Sequence, residues 1–182
     1  MLSAVACAVM LAFTNNASAL TIGDTHELGT VSPAVPFGDA EATAYVNELR
    51  QMALNTTEPF LGNTLTRSGN DFGPLPAPVL LQHVNAPVGG FPGQTTTISL
   101  GAQGTYTYLF AKYDAGNTFS EVWYVGNLSG DITIPNFNGV YGLSAYILFG
   151  PGGGQVPDGG TTVMLLGTAL GALGMVRRFL MG

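Results

Sequence analysis

Thr105-Tyr-Thr-Tyr-Leu-Phe-Ala-Lys-Tyr113, then Asp114-Ala-Gly-Asn117, then Phe119-Ser-Glu-Val-Trp-Tyr-Val125 is the stretch on which the fold turns. In the first run Tyr106, Tyr108 and Phe110 occupy alternate positions, with Thr105, Thr107, Leu109 and Ala111 between them. Alternation by two is the spacing of a β-strand, whose successive side chains point to opposite faces. The third run is also rich in aromatic and β-branched residues. The segment between them holds Gly116, the residue a short hairpin connection needs. Two strands joined this way pair antiparallel.

Outward from this hairpin the same pattern recurs. Val79–Val84, Thr95–Leu100, Asp131–Ile134 and Ser144–Phe149 read as further strands, separated by Gly, Pro and Asn. Residues Asp39–Leu54 read differently. Ala42, Tyr45, Val46, Leu49, Met52 and Ala53 recur at three- and four-residue spacing, while Glu41, Asn47, Glu48 and Arg50 fall mostly elsewhere. Asp39 is the expected N-cap, and Glu41 suits the first helical turn. The expected fold is mainly β: an antiparallel β-sandwich, jelly-roll-like, with one N-terminal amphipathic helix and a C-terminal transmembrane helix.

The two ends differ in composition from this domain. Met1 to Phe13 is almost wholly apolar, and Thr14-Asn15-Asn16 and Ala17-Ser18-Ala19 follow. An apolar core, a polar stretch and an A-x-A site in that order form a signal peptide. Signal peptidase requires small residues, here Ala17 and Ala19, and the expected cut follows Ala19. No Lys or Arg precedes the apolar core, which places the natural start upstream of Met1 as one expectation. The sole cysteine, Cys7, lies within this segment, so the mature domain has no thiol chemistry.

The C-terminal end runs Val156-Pro157-Asp158-Gly159-Gly160, an uncharged apolar run over 161–176, then Arg177-Arg178 and a short tail to residue 182. At ~1.5 Å per residue the run spans roughly 24 Å, somewhat short of the ~30 Å hydrocarbon core, and snorkelling arginines extend its reach. Arg177 and Arg178 act as a stop-transfer pair. The domain organisation is therefore a signal peptide (1–19), a secreted β-rich domain (20–149), a Gly-rich spacer (150–155) and a sorting segment (156–182). That segment divides into a motif (156–160), a helix (161–176) and a basic tail (177–182).

This order of short motif, apolar helix and terminal arginines resembles the PEP-CTERM class of sorting signals, and within it the VPDSG-CTERM variant. Val156, Pro157, Asp158 and Gly160 match the variant's motif, and Gly159 stands where the variant has Ser. The resemblance implies a substrate of an integral-membrane exosortase, exported and held for a time at the inner membrane through the C-terminal helix. Its destination would be the cell surface, outer envelope or extracellular matrix. Leu109-Phe-Ala-Lys-Tyr-Asp114, Glu121-Val-Trp-Tyr-Val125 and Tyr141-Gly-Leu-Ser144 also resemble a domain of other exosortase-tailed surface proteins. That likeness implies a surface role and adds no catalytic residue.

Charge excludes one class of partner. The chain has a net charge of −6, with 5 Lys and Arg against 11 Asp and Glu, and two of the five basic residues lie in the tail. Such a domain repels phosphate backbones, so no nucleic-acid partner is expected. No catalytic set is legible either. Gly142-Leu-Ser144-Ala-Tyr146 lacks the second glycine of a nucleophile elbow, His26 and His83 are the two histidines, and His83 reads as a core residue beside Leu81. The expectation is a protein that is not an enzyme, with a structural or adhesive role. A carboxylate pair ~5–9 Å apart in a cleft would favour a glycosidase instead.

The alternative is a carbohydrate-binding module, with Trp123, Tyr124 and Tyr141 as stacking residues and extracellular polysaccharide as partner. Trp123 and Tyr124 are adjacent on a strand and face opposite ways. No cofactor is required, but Asp114, Asn117 and Glu121 gather oxygen ligands around one hairpin loop, a set that suits calcium. Turn geometry alone also demands Asp, Gly and Asn there.

Overall fold

The computed structural model describes residues 18–85, 94–113, 119–139 and 141–152. In chain order the elements are β1 (Ser18–Ala19), β2 (Glu27–Ser32), α1 (Asp39–Leu49), β3 (Thr57–Phe60), β4 (Asn63–Arg67), β5 (Ala77–Asn85), β6 (Thr96–Ser99), β7 (Tyr108–Tyr113), β8 (Phe119–Tyr124), β9 (Asp131–Ile134) and β10 (Leu143–Gly152). The fold is mainly β, with two sheets and one short helix. One sheet has seven strands in the order β3-β4-β2-β8-β7-β10-β5, and the other has three in the order β1-β9-β6. A jelly roll uses eight strands in two sheets, so this sandwich is less even. It also contains one parallel pair, β1 with β9.

The hairpin that decides the fold forms as read. β7 and β8 pair antiparallel from Tyr108 opposite Tyr124 to Tyr113 opposite Phe119, and the connection 114–118 lies outside the described residues. Both strands sit in the middle of the seven-stranded sheet and are covered on both faces. Tyr108, Phe110 and Val122 face one core with Ala42, Tyr45, Val46 and Leu49 of α1. Leu109, Ala111, Tyr113 and Trp123 face a second core with Ile98, Ile132 and Ile134 of the small sheet. Three layers result: helix, large sheet, small sheet. A strand buried on both faces needs apolar residues at consecutive positions, which explains Tyr-Leu-Phe-Ala in β7.

The alternation does not extend back to Tyr106. The chain turns at Thr105, whose amide bonds to the Ala102 carbonyl, and β7 begins at Tyr108. Tyr106 consequently packs with the Leu109 and Trp123 side, opposite Tyr108 and Phe110. β10 runs to Gly152 and pairs with β5 through Gly150, Pro151 and Gly152. The first three residues expected in the spacer are thus strand. At the other end, Ser18 and Ala19 pair with Ile132 and Thr133, so β1 lies on the N-terminal side of the expected signal-peptidase cut.

The helix is shorter than its periodicity. It ends at Leu49, and Asn55 adopts a left-handed φ of 59° that redirects the chain into β3. Met52 still joins the helix-side core, whereas Ala53 is exposed. Gly38, not Asp39, is the N-cap, and no side chain caps the helix. A capping carboxylate must accept a first-turn amide, and that of Asp39 is instead bonded to Nδ1 of His83.

β2, β3 and β4 carry no strong strand pattern. β2 contains Gly29, where a side chain is impossible: a Cβ there would lie 2.3 Å from the Thr66 carbonyl oxygen and 2.9 Å from Leu49. β3 contains Pro59, and its turn to β4 uses Leu61 and Gly62 at φ 50° and 77°. What holds this corner is Asn63, which is 3% exposed. Its side-chain amide nitrogen donates to the carbonyls of Val35 and Leu61 and to the Tyr45 hydroxyl, and its oxygen accepts the Val35 amide. Asn63→Ala leaves those groups unpaired and is expected to cost about 2 kcal/mol. The check is a lowered urea midpoint at unchanged m-value.

Candidate functional site

The three stacking candidates separate. Trp123 is fully buried in the core between the sheets, and its indole N–H donates to the Thr21 carbonyl at 3.3 Å. It presents no ring face to solvent, because the large sheet is covered on this side as well. Tyr124 points to the opposite face, as expected, and packs half-buried against Phe72 at 4.9 Å and Tyr108 at 6.2 Å between ring centroids. Of the three, Tyr141 alone is exposed, at 38%. Its ring lies 6.3 Å from Phe137, which stacks on Phe119 at 4.4 Å. Phe137 and Tyr141 bridge across a tight turn in which Asn138 and Gly139 take positive φ values. The sequence did not mark Phe137 as a neighbour of Tyr141, because only their bridge across the turn brings the two rings together.

Asp114 and Asn117 lie outside the described residues. Glu121 is fully buried on β8, on the same side as Trp123, where its carboxyl lies beside that of Glu27. Its Oε1 also accepts the Gly23 amide at 3.4 Å. Among the described residues no group of three or more His, Cys, Asp or Glu side chains could hold a metal ion.

Glu27 reaches Glu121 through a β-bulge. Thr30 is opposite Glu121 and Gly29 opposite Val122, but Glu27 is opposite Trp123, so Leu28 is the extra residue. Without it Glu27 would share the helix-side face of Gly29 and Val31. Burial pushes the Glu121 carboxyl up to about 9, helped by the neighbouring charges of Glu27 and Asp24. Burial also raises Glu27, while its hydrogen bonds and Arg67 act in the opposite direction.

Arg67, 3% exposed, anchors the same corner. Its guanidinium donates to the carbonyls of Leu28, Ser68 and Asn70 and to the Ser68 hydroxyl. Ser68 Oγ donates to the Glu27 carbonyl, and Asn70 donates to those of Asp24 and Glu27. Burial lowers the Arg67 pKa, opposed by the carboxylates of Asp71 and Glu27. Nothing in the sequence marked Arg67 as different from a surface arginine.

His83 was expected among apolar neighbours. It is half-buried on the edge strand β5, paired with Asp39 and set edge-on to Phe37 at 5.9 Å. Its Nε2 is buried without a partner. The Ser144 hydroxyl donates to the Lys112 carbonyl, a structural bond at the irregular start of β10.

Of the processing residues, Ala17, Val156, Pro157, Asp158, Gly159, Gly160, Arg177 and Arg178 lie outside the described residues, as does the apolar run 161–176. No helix among the described residues is long and apolar enough to cross a membrane. Ala19 lies in β1, and Leu20 after it is 2% exposed, with its amide bonded to the Thr133 carbonyl. No curated protein and no solved structure matches the chain. Residues 155–179 match the model of the VPDSG-CTERM motif, and the chain thus carries the C-terminal sorting signal of an exosortase-sorted, exported, surface-associated protein.

Proposed function

We propose that the chain is made with a signal peptide, crosses the inner membrane, is held there by the helix 161–176, and is cut by an exosortase near Val156–Gly160. The released β-domain then serves a structural or adhesive role at the cell surface or in the extracellular matrix, without catalysis. The observation that carries this reading is the motif match over residues 155–179. The Pro-Asp-Gly-Gly run suits proteolysis, since proline excludes helix and glycine keeps the backbone extended. β10 ends at Gly152, a few residues before the motif, so a cut there would leave the sheet whole.

Intact-mass analysis of the protein from its native host, fraction by fraction, tests the route. The expected mature species begins at Leu20 and ends within 156–160. A species that keeps residues 161–182 in the inner membrane would mean a permanent anchor and would sink the processing step.

Carbohydrate binding is a second reading, and it rests on the exposed ring of Tyr141 beside Phe137 and Phe119. Tyr141→Ala is the substitution that probes it. Binding to host extracellular polysaccharide should fall at least ~10-fold with no change in unfolding midpoint. Equal binding by wild type and variant would remove Tyr141 from a sugar site.

A further inference from the structure

The Glu27–Glu121 pair sits on a segment that behaves as one piece. In the turn Thr21–Glu27, the Thr21 amide donates to Asp24 Oδ2 and the His26 amide to Asp24 Oδ1, while the Asp24 amide returns to the Thr21 carbonyl. Besides the bonds from the Tyr124 amide to the His26 carbonyl and from Asn70 to the Asp24 and Glu27 carbonyls, this turn meets two side chains of β8: Trp123 donates to Thr21, and Glu121 accepts from Gly23 and lies beside Glu27. Glu121 Oε2 is buried and has no hydrogen-bond partner among the described residues. Two ionised carboxylates are acceptors only. Their contact becomes a hydrogen bond when one of them holds a proton.

We infer that Glu27 and Glu121 share one proton in the folded domain, and that this carboxyl–carboxylate bond is a latch holding the Thr21–Glu27 turn over Trp123, closed in acid and neutral solution and open in alkali. Two observations converge on it. The bulge at Leu28 exists at the one place that turns Glu27 toward Glu121. Glu121 is fully buried, where an unshared charge is costly. That burial pushes the Glu121 carboxyl up to about 9.

The charged and titratable groups around the pair are Asp24 and His26 on the turn, Arg67 on β4 and Tyr113 on β7. Asp24 adds like charge, Arg67 attracts the Glu27 carboxylate, and burial, with the Glu121 charge added, raises the Tyr113 hydroxyl. The sign follows from the raised value. The folded state binds the proton more tightly than the unfolded chain, so the contribution is complete below the ordinary carboxyl value of 4.5. It is lost progressively as pH rises toward about 9.

Trp123, the sole tryptophan, reports the latch directly. The test is its emission spectrum and acrylamide quenching in the protein purified from its host, from about pH 6 to about pH 10, with far-UV circular dichroism alongside. The expected result is a red shift and stronger quenching with a midpoint near 9, before secondary structure is lost. Glu121→Gln should abolish that transition, because its amide NH2 donates to Glu27 permanently and its carbonyl keeps the Gly23 bond. A transition of equal size in the variant, or none in wild type, would overturn the latch.

Carbon-13 titration of the Glu121 carboxyl in the wild type stands independently of how the variant folds. A midpoint in the ordinary carboxylate range would refute the shared proton. Calcium at millimolar concentration should leave the Trp123 spectrum unchanged at neutral pH. Proton release on adding calcium would mean that a cation occupies the pair, and the latch would be wrong.

Discussion

Trp123→Ala is expected to lower the unfolding free energy by about 3–5 kcal/mol, the range for removing a large aromatic from a packed core. The indole is fully buried among Leu20, Leu109, Val125, Ile132 and Leu148, where the small sheet closes over the large one. Truncation removes the burial of the ring, leaves a cavity that rigid strands on both sides cannot fill, and frees the Thr21 carbonyl from its donor. Against a typical total of roughly 5–15 kcal/mol, this leaves a marginal domain. The measurement is chemical denaturation followed by circular dichroism. A loss below about 1 kcal/mol would show that the small sheet does not cover the ring. The same expectation means that sugar binding lost in this variant would report unfolding, which is why Tyr141→Ala is the cleaner probe.

Arg67→Ala is the second large effect, at about 3–4 kcal/mol. The guanidinium binds three backbone carbonyls and the Ser68 hydroxyl from a position 3% exposed. It also lies 5.7 Å from the centroid of the Phe72 ring. Alanine would strand those acceptors away from water and release the link from β4 to the bulge that carries Glu27. Arg67→Lys should recover less than half of the loss, since one ammonium cannot span carbonyls that a planar fork reaches together. Full recovery by lysine would show that charge, and not the fork, holds the corner.

The strands that were legible are those with apolar residues at alternate or consecutive positions. All six strands from β5 to β10 were found within a few residues, and β9 at its observed ends. β2, β3 and β4 were not. Glu27, Gly29 and Pro59 break the usual pattern, and their pairing is imposed by neighbours already in place. The overlong helix has a related cause: its apolar spacing continues through Met52, but the left-handed turn at Asn55 belongs to the hairpin that follows. Site residues divide the same way. The opposition of Trp123 and Tyr124 followed from strand geometry alone. Which of them would be covered depended on a three-stranded sheet drawn from distant parts of the chain.

By itself the sequence determined the β class, the central hairpin, the helical stripe and the C-terminal sorting motif, because each is written in residues close together along the chain. Tertiary structure alone decided that Trp123 is core, that Glu121 turns inward to Glu27, and that Arg67 ties β4 to the bulge. Those outcomes depend on one extra residue in β2 and on contacts between segments tens of residues apart. A local pattern records which way a side chain points. It does not record what arrives to meet it, and burial, with the energetics that follow, is set by that arrival.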